Sequence, residues 1–285
     1  MSQTTVGLLH PGEMGAAVGR SLVGAGHEVV WAAAGRGPAT VARAARAGLT
    51  AVADVAEVAG RADVVLSVCP PHAAVQVARE VNAAGFRGLY VDANAVSPDT
   101  AREVAGIVEA DGAAYVDGGV IGTPPVAPGF IRLYLSGARA DEVLGLFAGT
   151  EVDARVIDGG AFAAASAVKM AYASWTKGSA ALLLAARALA RTEGVEDTLL
   201  AEWGISQPGL EARSAGSARA AAAKGWRWVA EMEEIAATMA GAGLPDGFHL
   251  AAAEIYRRAQ HADGTMPALD AVLAVLDASS ADRQG

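Results

Sequence analysis

The polar residues of one long alanine-rich segment have a spacing that suits proton transfer. Lys169, Tyr172 and Thr176 lie within residues 161–191, a run without proline that favours a helix. At roughly 100° per residue, Tyr172 lies about 60° and Thr176 about 20° from Lys169, so the three share one face. A partly desolvated amine gives up its proton readily, so we expect Lys169 to act as a general acid or base. The rest of that face consists of small residues, namely Ala165, Ala173 and Ala180.

Other interpretations of this face remain open. Lys169 could instead form a structural ion pair, and Tyr172 could be a half-buried interface residue. Tyr172 could also donate the proton or orient a substrate, so we take it as a second catalytic candidate. Thr176 is the candidate substrate contact on the same face.

A glycine-rich segment near the N-terminus has the composition of a phosphate-binding turn. It follows an apolar run, precedes an amphipathic pattern, and reads His10, Pro11, Gly12, Glu13, Met14, Gly15. Glycine lets the backbone approach a pyrophosphate, and free N–H groups at a helix N-terminus bind the anion. The first glycine of Gly-x-Gly-x-x-Gly is missing, and His10 takes its place. We expect His10 to Met14 to contact a dinucleotide cofactor, with His10 packing at the strand end rather than acting as a catalyst.

The segment after the second apolar run indicates which dinucleotide is bound. NAD-selective sites usually place an acidic residue there to bind the ribose 2′-hydroxyl. Residues 30–36 contain no acidic residue and end in Arg36. A guanidinium is suited to a 2′-phosphate, so the segment favours NADP(H), unless Arg36 is simply a solvated loop residue.

The order of apolar and helical segments predicts two unlike halves. Up to about residue 158, short β-rich runs alternate with alanine-rich stretches, as in an α/β Rossmann domain with a doubly wound parallel sheet. The expected strands are residues 6–10, 28–31, 64–68, 88–92, 114–117 and 132–136. The later half reads as all-α. We therefore predict a cofactor-binding domain over residues 1–158 and a helical substrate and dimerisation domain over residues 159–285.

Several polar residues follow the predicted strands, where open α/β sheets bind their ligands. Asn94 and Ser97 come after the strand at 88–92 and are either ligand contacts or turn formers. Thr123 begins Thr123-Pro124-Pro125, a rigid loop that could border a substrate.

The helical half contains further polar residues. Glu231 and Glu234 are interpreted as a solvated helix face, and His249 as a capping or core histidine.

Composition excludes several classes of function. The 285 residues include 22 Lys and Arg against 31 Asp and Glu, a net charge of −9 that disfavours nucleic acid and anionic membranes as partners. Cys69 is the single cysteine, which fits a reducing cytoplasm. The five histidines show no metal-binding spacing, so no metal is expected. The N-terminus shows no secretion signal.

The motifs together resemble the 3-hydroxyacid dehydrogenase and 6-phosphogluconate dehydrogenase-like superfamily. The resemblance is carried by Gly12-x-Met14-Gly15, Cys69-Pro70-Pro71, Asp92-x-Asn94-x-x-Ser97-Pro98, residues 117–122, Lys169 and, in the second half, residues 169–178, 231–236 and 243–249. The resemblance implies NADP(H) bound by the N-terminal half, with Cys69, Pro70 and Asn94 at the cofactor and Gly122 at the substrate. It also implies a homodimer with interlocked helical domains and hydride transfer in a cleft.

Three positions depart from the pattern of this superfamily. Ile121 stands where a serine usually holds a substrate carboxylate, and Ala173 stands where an asparagine usually follows the lysine. A Lys-Asp pair on a later helix corresponds to Ala230 and Glu231. The usual hydroxy-acid substrate therefore cannot be assumed.

We expect an NADPH-dependent oxidoreductase that acts on a small carbonyl or hydroxyl compound. An imine reductase is the nearest alternative, because relatives with this architecture reduce C=N bonds and the carboxylate anchors are missing. A non-catalytic protein that senses NADP(H) is the alternative from another class.

Overall fold

The computed structural model describes residues 3–124 and 129–277, which divide into two compact units, Met1–Met170 and Ala171–Gly285. In the described part of the first unit, eight strands form one sheet in the order β3-β2-β1-β4-β5-β6-β7-β8. Their bounds are β1 Thr5–Leu9, β2 Glu28–Ala32, β3 Thr50–Val52, β4 Val64–Ser67, β5 Leu89–Asp92, β6 Ala114–Gly122, β7 Ile131–Ser136 and β8 Val152–Val156.

Helices cover both faces of this sheet, as expected for strands that are apolar on both sides. The helices are α1 Glu13–Gly24, α2 Pro38–Arg46, α3 Val55–Arg61, α4 Ala74–Ala83, α5 Pro98–Glu109 and α6 Ala140–Leu146. One buried core joins α1, α2 and α6 to residues such as Leu8 and Val91, and a second joins α3, α4 and α5 to Val65 and Tyr90. The two cores confirm the doubly wound α/β fold.

The sheet is parallel except at one pair of strands. β7 runs antiparallel to β6, with Gly119 opposite Tyr134. Only residues 123–130 connect the two strands, which is too few for the crossover helix that a parallel neighbour needs. β8 then pairs with β7 in parallel, with α6 between them along the chain.

All regular secondary structure in the described residues of the second unit is helical, which confirms the all-α prediction for the C-terminal half. A helix over Ala164–Ala173 (α7) begins in the first unit and continues through a π-helical turn, Ser174–Gly178, into α8 Ser179–Thr192. The remaining helices are α9 Glu196–Ser206, α10 Leu210–Gly241, α11 Gly247–Ala259 and α12 Ala268–Asp277. None of the helices in the described ranges is long and apolar enough to span a bilayer. The domain boundary predicted between residues 158 and 159 stays a prediction.

Candidate cofactor and active site

The carboxyl ends of four adjacent strands form one edge of the sheet in the first unit. Leu9 of β1 pairs with Ser67 of β4, Ser67 with Asp92 of β5, and Asp92 with Asp117 of β6. From β1 the chain proceeds to β2 on one side, whereas β4 lies on the other, so the strand order reverses between β1 and β4. Open α/β sheets bind their ligands at such a reversal, outside the carboxyl ends of the strands.

The turn between β1 and α1 lies at this reversal and has the shape that a pyrophosphate requires. Gly12 is the N-cap of α1, and no side chain caps that helix end. A Cβ atom on Gly15 would lie 2.7 Å from the His10 carbonyl oxygen, so the tight turn depends on glycine there. Pro11 is buried, Met14 packs against the core, and Gly12 and Glu13 are exposed. This cradle fits a dinucleotide cofactor, and the N–H groups at the α1 N-terminus are the groups that would hold its phosphates.

His10 has an unusual backbone and a specific partner. Its φ is +64°, whereas residues other than glycine pay about 1–2 kcal/mol for this left-handed conformation. An Arg36 amino group lies 2.9 Å from His10 Nε2. Burial, followed by the positive charge of Arg36, lowers the pKa of His10 to about 4. His10 is therefore neutral at pH 7, and its Nε2 accepts the hydrogen bond that Arg36 donates.

The loops after β4 and β5 are tied together by buried side chains. The Asn94 side-chain oxygen accepts from the Cys69 backbone N–H at 2.6 Å, and its amide nitrogen donates to Ser67 Oγ at 3.0 Å. Burial raises the pKa of the Cys69 thiol to about 12, so the thiol stays protonated. The Asn94 side chain thus holds the two loops together through the Cys69 backbone, and Pro70 is exposed beside them. Ser97 caps α5 by accepting from the Thr100 N–H at 3.1 Å.

Lys169 lies on α7, which packs against the C-terminal part of β6. A Cβ atom on Gly119 would lie 2.5 Å from the Ala165 carbonyl oxygen and 3.2 Å from Lys169 Cβ. Glycine at position 119 therefore lets α7 lie directly on β6. Gly119 comes two residues after Asp117, the residue aligned with the end of β5. The stem of Lys169 thus starts at the carboxyl edge of the sheet, the edge that also carries the cofactor cradle.

A buried carboxylate, Asp117, anchors the start of α7, a role that its position in the sequence does not predict. Asp117 accepts hydrogen bonds from Ser136 Oγ at 2.9 Å, from the Ser166 N–H at 2.9 Å and from Ser166 Oγ at 2.5 Å. The Ala165 N–H donates in turn to Ser136 Oγ at 3.1 Å. Burial raises the pKa of Asp117, while these hydrogen bonds oppose the rise. The only features of the sequence that could have indicated this anchor are the serines at positions 136 and 166.

The remaining predicted substrate contacts are placed as follows. Gly122 ends β6 and is exposed, as is Thr123, whereas Pro125 lies outside the described residues. Tyr172 is 46% exposed. Thr176 lies in the π-helical turn, so an angle computed for a regular α-helix does not describe it. Its hydroxyl donates to the Tyr172 carbonyl oxygen at 3.1 Å.

One interpretation in the second unit was wrong. Glu231 is buried rather than solvated, and it forms an ion pair with Lys177. The attraction between the Lys177 ammonium and this carboxylate offsets part of the desolvation cost of burying it. His249 is buried, as a core histidine, with Nε2 2.8 Å from Ser174 Oγ. Within residues 3–124 and 129–277 no three His, Cys, Asp or Glu side chains cluster as metal ligands do.

Comparison with protein families agrees with the geometry of both units. Residues 5–143 match the NAD binding domain of 6-phosphogluconate dehydrogenase, and residues 190–259 match a domain of unknown function, DUF1932. A probable 3-hydroxyisobutyrate dehydrogenase of Mycobacterium bovis is 31% identical over 179 residues, which are 59% of this chain and 57% of the relative. The chain thus spans little more than half of that relative.

Two solved structures have the same fold along nearly the whole chain. A conserved hypothetical protein from Sinorhizobium meliloti is 28% identical, with a TM-score of 0.70 and 97% of each chain covered. A reductive aminase from Aspergillus terreus, solved with NADPH, is 22% identical, with a TM-score of 0.57, 98% of this chain and 100% of that chain covered. At that identity, the aminase supports the fold alone.

Proposed function

We propose that this chain, which belongs to the 3-hydroxyacid dehydrogenase and 6-phosphogluconate dehydrogenase-like superfamily, is an NADP(H)-dependent oxidoreductase. It transfers a hydride between the nicotinamide ring and a small carbonyl or hydroxyl substrate. Lys169 is the general acid in reduction and the general base in oxidation.

The position of Lys169 against Gly119 is the observation that carries this proposal. The cradle at β1 and the stem of Lys169 at β6 belong to one sheet edge and are separated by β4 and β5. Three strand spacings of about 4.8 Å span roughly 14 Å, a distance compatible with a dinucleotide that crosses the edge. A cofactor held by its phosphates at His10 to Met14 would have its nicotinamide half on the side of the amine.

The protein supplies proton transfer and orientation in this reaction. The bound cofactor supplies the hydride. Carbonyl reduction leaves an oxyanion on the substrate, which Lys169 protonates. Tyr172 is the second candidate for the same proton. Gly122, Thr123 and Thr176 are the proposed substrate contacts.

The proposal is tested by following NADPH oxidation with two matched panels of substrates. One panel contains small ketones, aldehydes and their 3-oxo acids, and the other contains cyclic imines of similar size. We expect turnover in the carbonyl panel. Turnover of imines alone would identify an imine reductase, and NADPH binding without turnover in either panel would favour a sensing protein.

Reduction of C=N bonds is the second candidate function, and Ile121 favours it. This residue is buried on β6 and cannot offer the hydroxyl that would hold a substrate carboxylate. A substrate without a carboxylate does not need that hydroxyl. A C=N substrate does need a donor to its nitrogen, which Lys169 or Tyr172 would provide.

Arg36 is the proposed contact for the 2′-phosphate of NADP(H), since it lies in the loop after β2 and is exposed. Arg36→Ala is expected to weaken NADPH binding about tenfold and to leave NADH binding nearly unchanged, because only NADPH carries the phosphate. The dissociation constants are measured by fluorescence titration. Arg102→Ala, at an exposed site on α5, is the matched control and should change neither constant. Equal weakening of both cofactors would refute the assignment.

We also propose a homodimer in which residues 159–285 supply the interface. Large apolar side chains of the second unit are exposed in the single chain, among them Ile205 at 81%, Trp175 at 70% and Leu189 at 64%. Apolar side chains this exposed are typical of an interaction face when they form one contiguous patch, and the proposed interface would bring them together. A cytoplasmic location, expected from the single cysteine, is part of the same proposal.

A further inference from the structure

We propose that His10 is a positioning residue that determines cofactor specificity by holding Arg36 in place for the 2′-phosphate of NADP(H). This inference rests on the proposed NADP(H) preference and goes beyond it. It assigns the preference to a pair of residues rather than to Arg36 alone.

The contact between the two side chains joins two loops at adjacent strand ends. His10 directly follows β1, Arg36 follows β2, and the two strands are paired in parallel. An Arg36 amino group lies 2.9 Å from His10 Nε2. An exposed arginine on a loop otherwise samples many rotamers, and fixing it on binding costs conformational entropy. The His10 ring lowers that cost by holding the guanidinium before the cofactor arrives.

Arg36 can bind a phosphate while it contacts His10. A guanidinium has five N–H donors, and the contact with Nε2 uses an amino group at one end of the fork. Arg36 is exposed, so its remaining donors are accessible to a ligand. The low pKa of His10 agrees with this arrangement, because the neutral ring can accept from Arg36 and a protonated ring would repel it.

The strained backbone of His10 indicates that this position requires the histidine side chain, because the backbone conformation alone would favour glycine. The φ of +64° is one that glycine adopts without strain, and the superfamily motif places glycine at this position. Histidine accepts strain there. Strain of this kind is found at functional sites, and within the described residues the hydrogen bond of this side chain is the one with Arg36.

The test is a double-mutant cycle on cofactor affinity with His10→Gly, Arg36→Ala and the double variant. Dissociation constants for NADPH and NADH are measured by titration, without substrate. His10→Gly is expected to weaken NADPH roughly three- to tenfold and NADH little, because it removes one hydrogen bond to a charged group. In the Arg36→Ala background, the same substitution is expected to leave the NADPH constant unchanged. The melting temperature of His10→Gly should be equal to or above that of the parent, since glycine relieves the strain.

The cycle separates failure of this inference from failure of the proposed cofactor preference. If Arg36→Ala weakens NADPH selectively but His10→Gly weakens both cofactors equally, His10 acts on the turn and the positioning role is wrong. The role is also wrong if His10→Gly weakens NADPH as much without Arg36 as with it. If Arg36→Ala fails to discriminate between the cofactors, the 2′-phosphate assignment falls, and this inference falls with it.

Discussion

Lys169→Ala is expected to lower kcat about 100-fold or more, with the dissociation constant for NADPH unchanged. The amine transfers the proton that the reacting oxygen or nitrogen needs, and alanine removes this transfer without altering the cradle at His10 to Met14. Alanine fits the site, because Ala165 on the preceding turn of α7 already packs against Gly119. The measurement is steady-state NADPH oxidation with the best substrate of the panels, together with a fluorescence titration of NADPH.

Lys224→Ala is the matched control for this experiment. Lys224 is an exposed lysine on α10, and its removal is expected to change kcat less than twofold, as is usual for surface substitutions away from a site. An unchanged kcat in Lys169→Ala would remove Lys169 from the mechanism. Tyr172→Phe would then be the next variant to test as the proton donor.

Asp117→Ala is expected to reduce the free energy of unfolding by about 2–4 kcal/mol, because it leaves three buried donor groups without their acceptor. The same change should lower kcat by at least about tenfold at a temperature where the variant is folded, since displacement of a catalytic group by about 1 Å is enough for such a loss. The affinity for NADPH should change little. Urea denaturation gives the stability, and the steady-state assay gives kcat.

Two further variants show whether Asp117 acts through α7. Ser166→Ala removes one hydroxyl donor from the carboxylate and should give a smaller loss in both measurements, of about 1 kcal/mol in stability. Asp153→Ala breaks a surface pair with Arg155 on β8 and should leave both the stability and kcat nearly unchanged. A destabilised Asp117→Ala enzyme with normal kcat would show that the anchor stabilises the fold but does not position Lys169.

Much of the fold was predictable because the buried strands are continuous apolar runs. β1, β2, β4 and β5 begin and end within about one residue of their predicted positions. β3 was missed because it has three residues, two of them exposed, and carries no periodic signal. β8 alternates apolar and polar residues, which is the pattern of a half-buried strand, although the expected strands did not include it. The π-helical turn at Ser174–Gly178 was not predictable, because its residues also suit an α-helix and nothing in their sequence distinguishes the two.

The candidate site was predictable where it depends on local sequence. The positions of the turn at His10 to Gly15 and of the loop that holds Arg36 follow from their order after β1 and β2, whereas their roles at the cofactor stay predictions. The contact between His10 and Arg36 was not, because it joins side chains 26 residues apart and depends on how two loops meet. The anchor at Asp117 likewise joins residues 49 apart, so spacing along the chain could not reveal it.

The most direct measurement of the central claim is transfer of deuterium from NADPH that carries deuterium at both positions of C4 of the nicotinamide ring. The substrate is the best compound of the panels, and the product is analysed by mass spectrometry. We predict one deuterium on the carbon that was the carbonyl or imine carbon, formed at a rate about 100-fold lower in Lys169→Ala than in the unmodified enzyme. Tight NADPH binding with no deuterium in any product, or equal transfer by the two enzymes, would contradict the account.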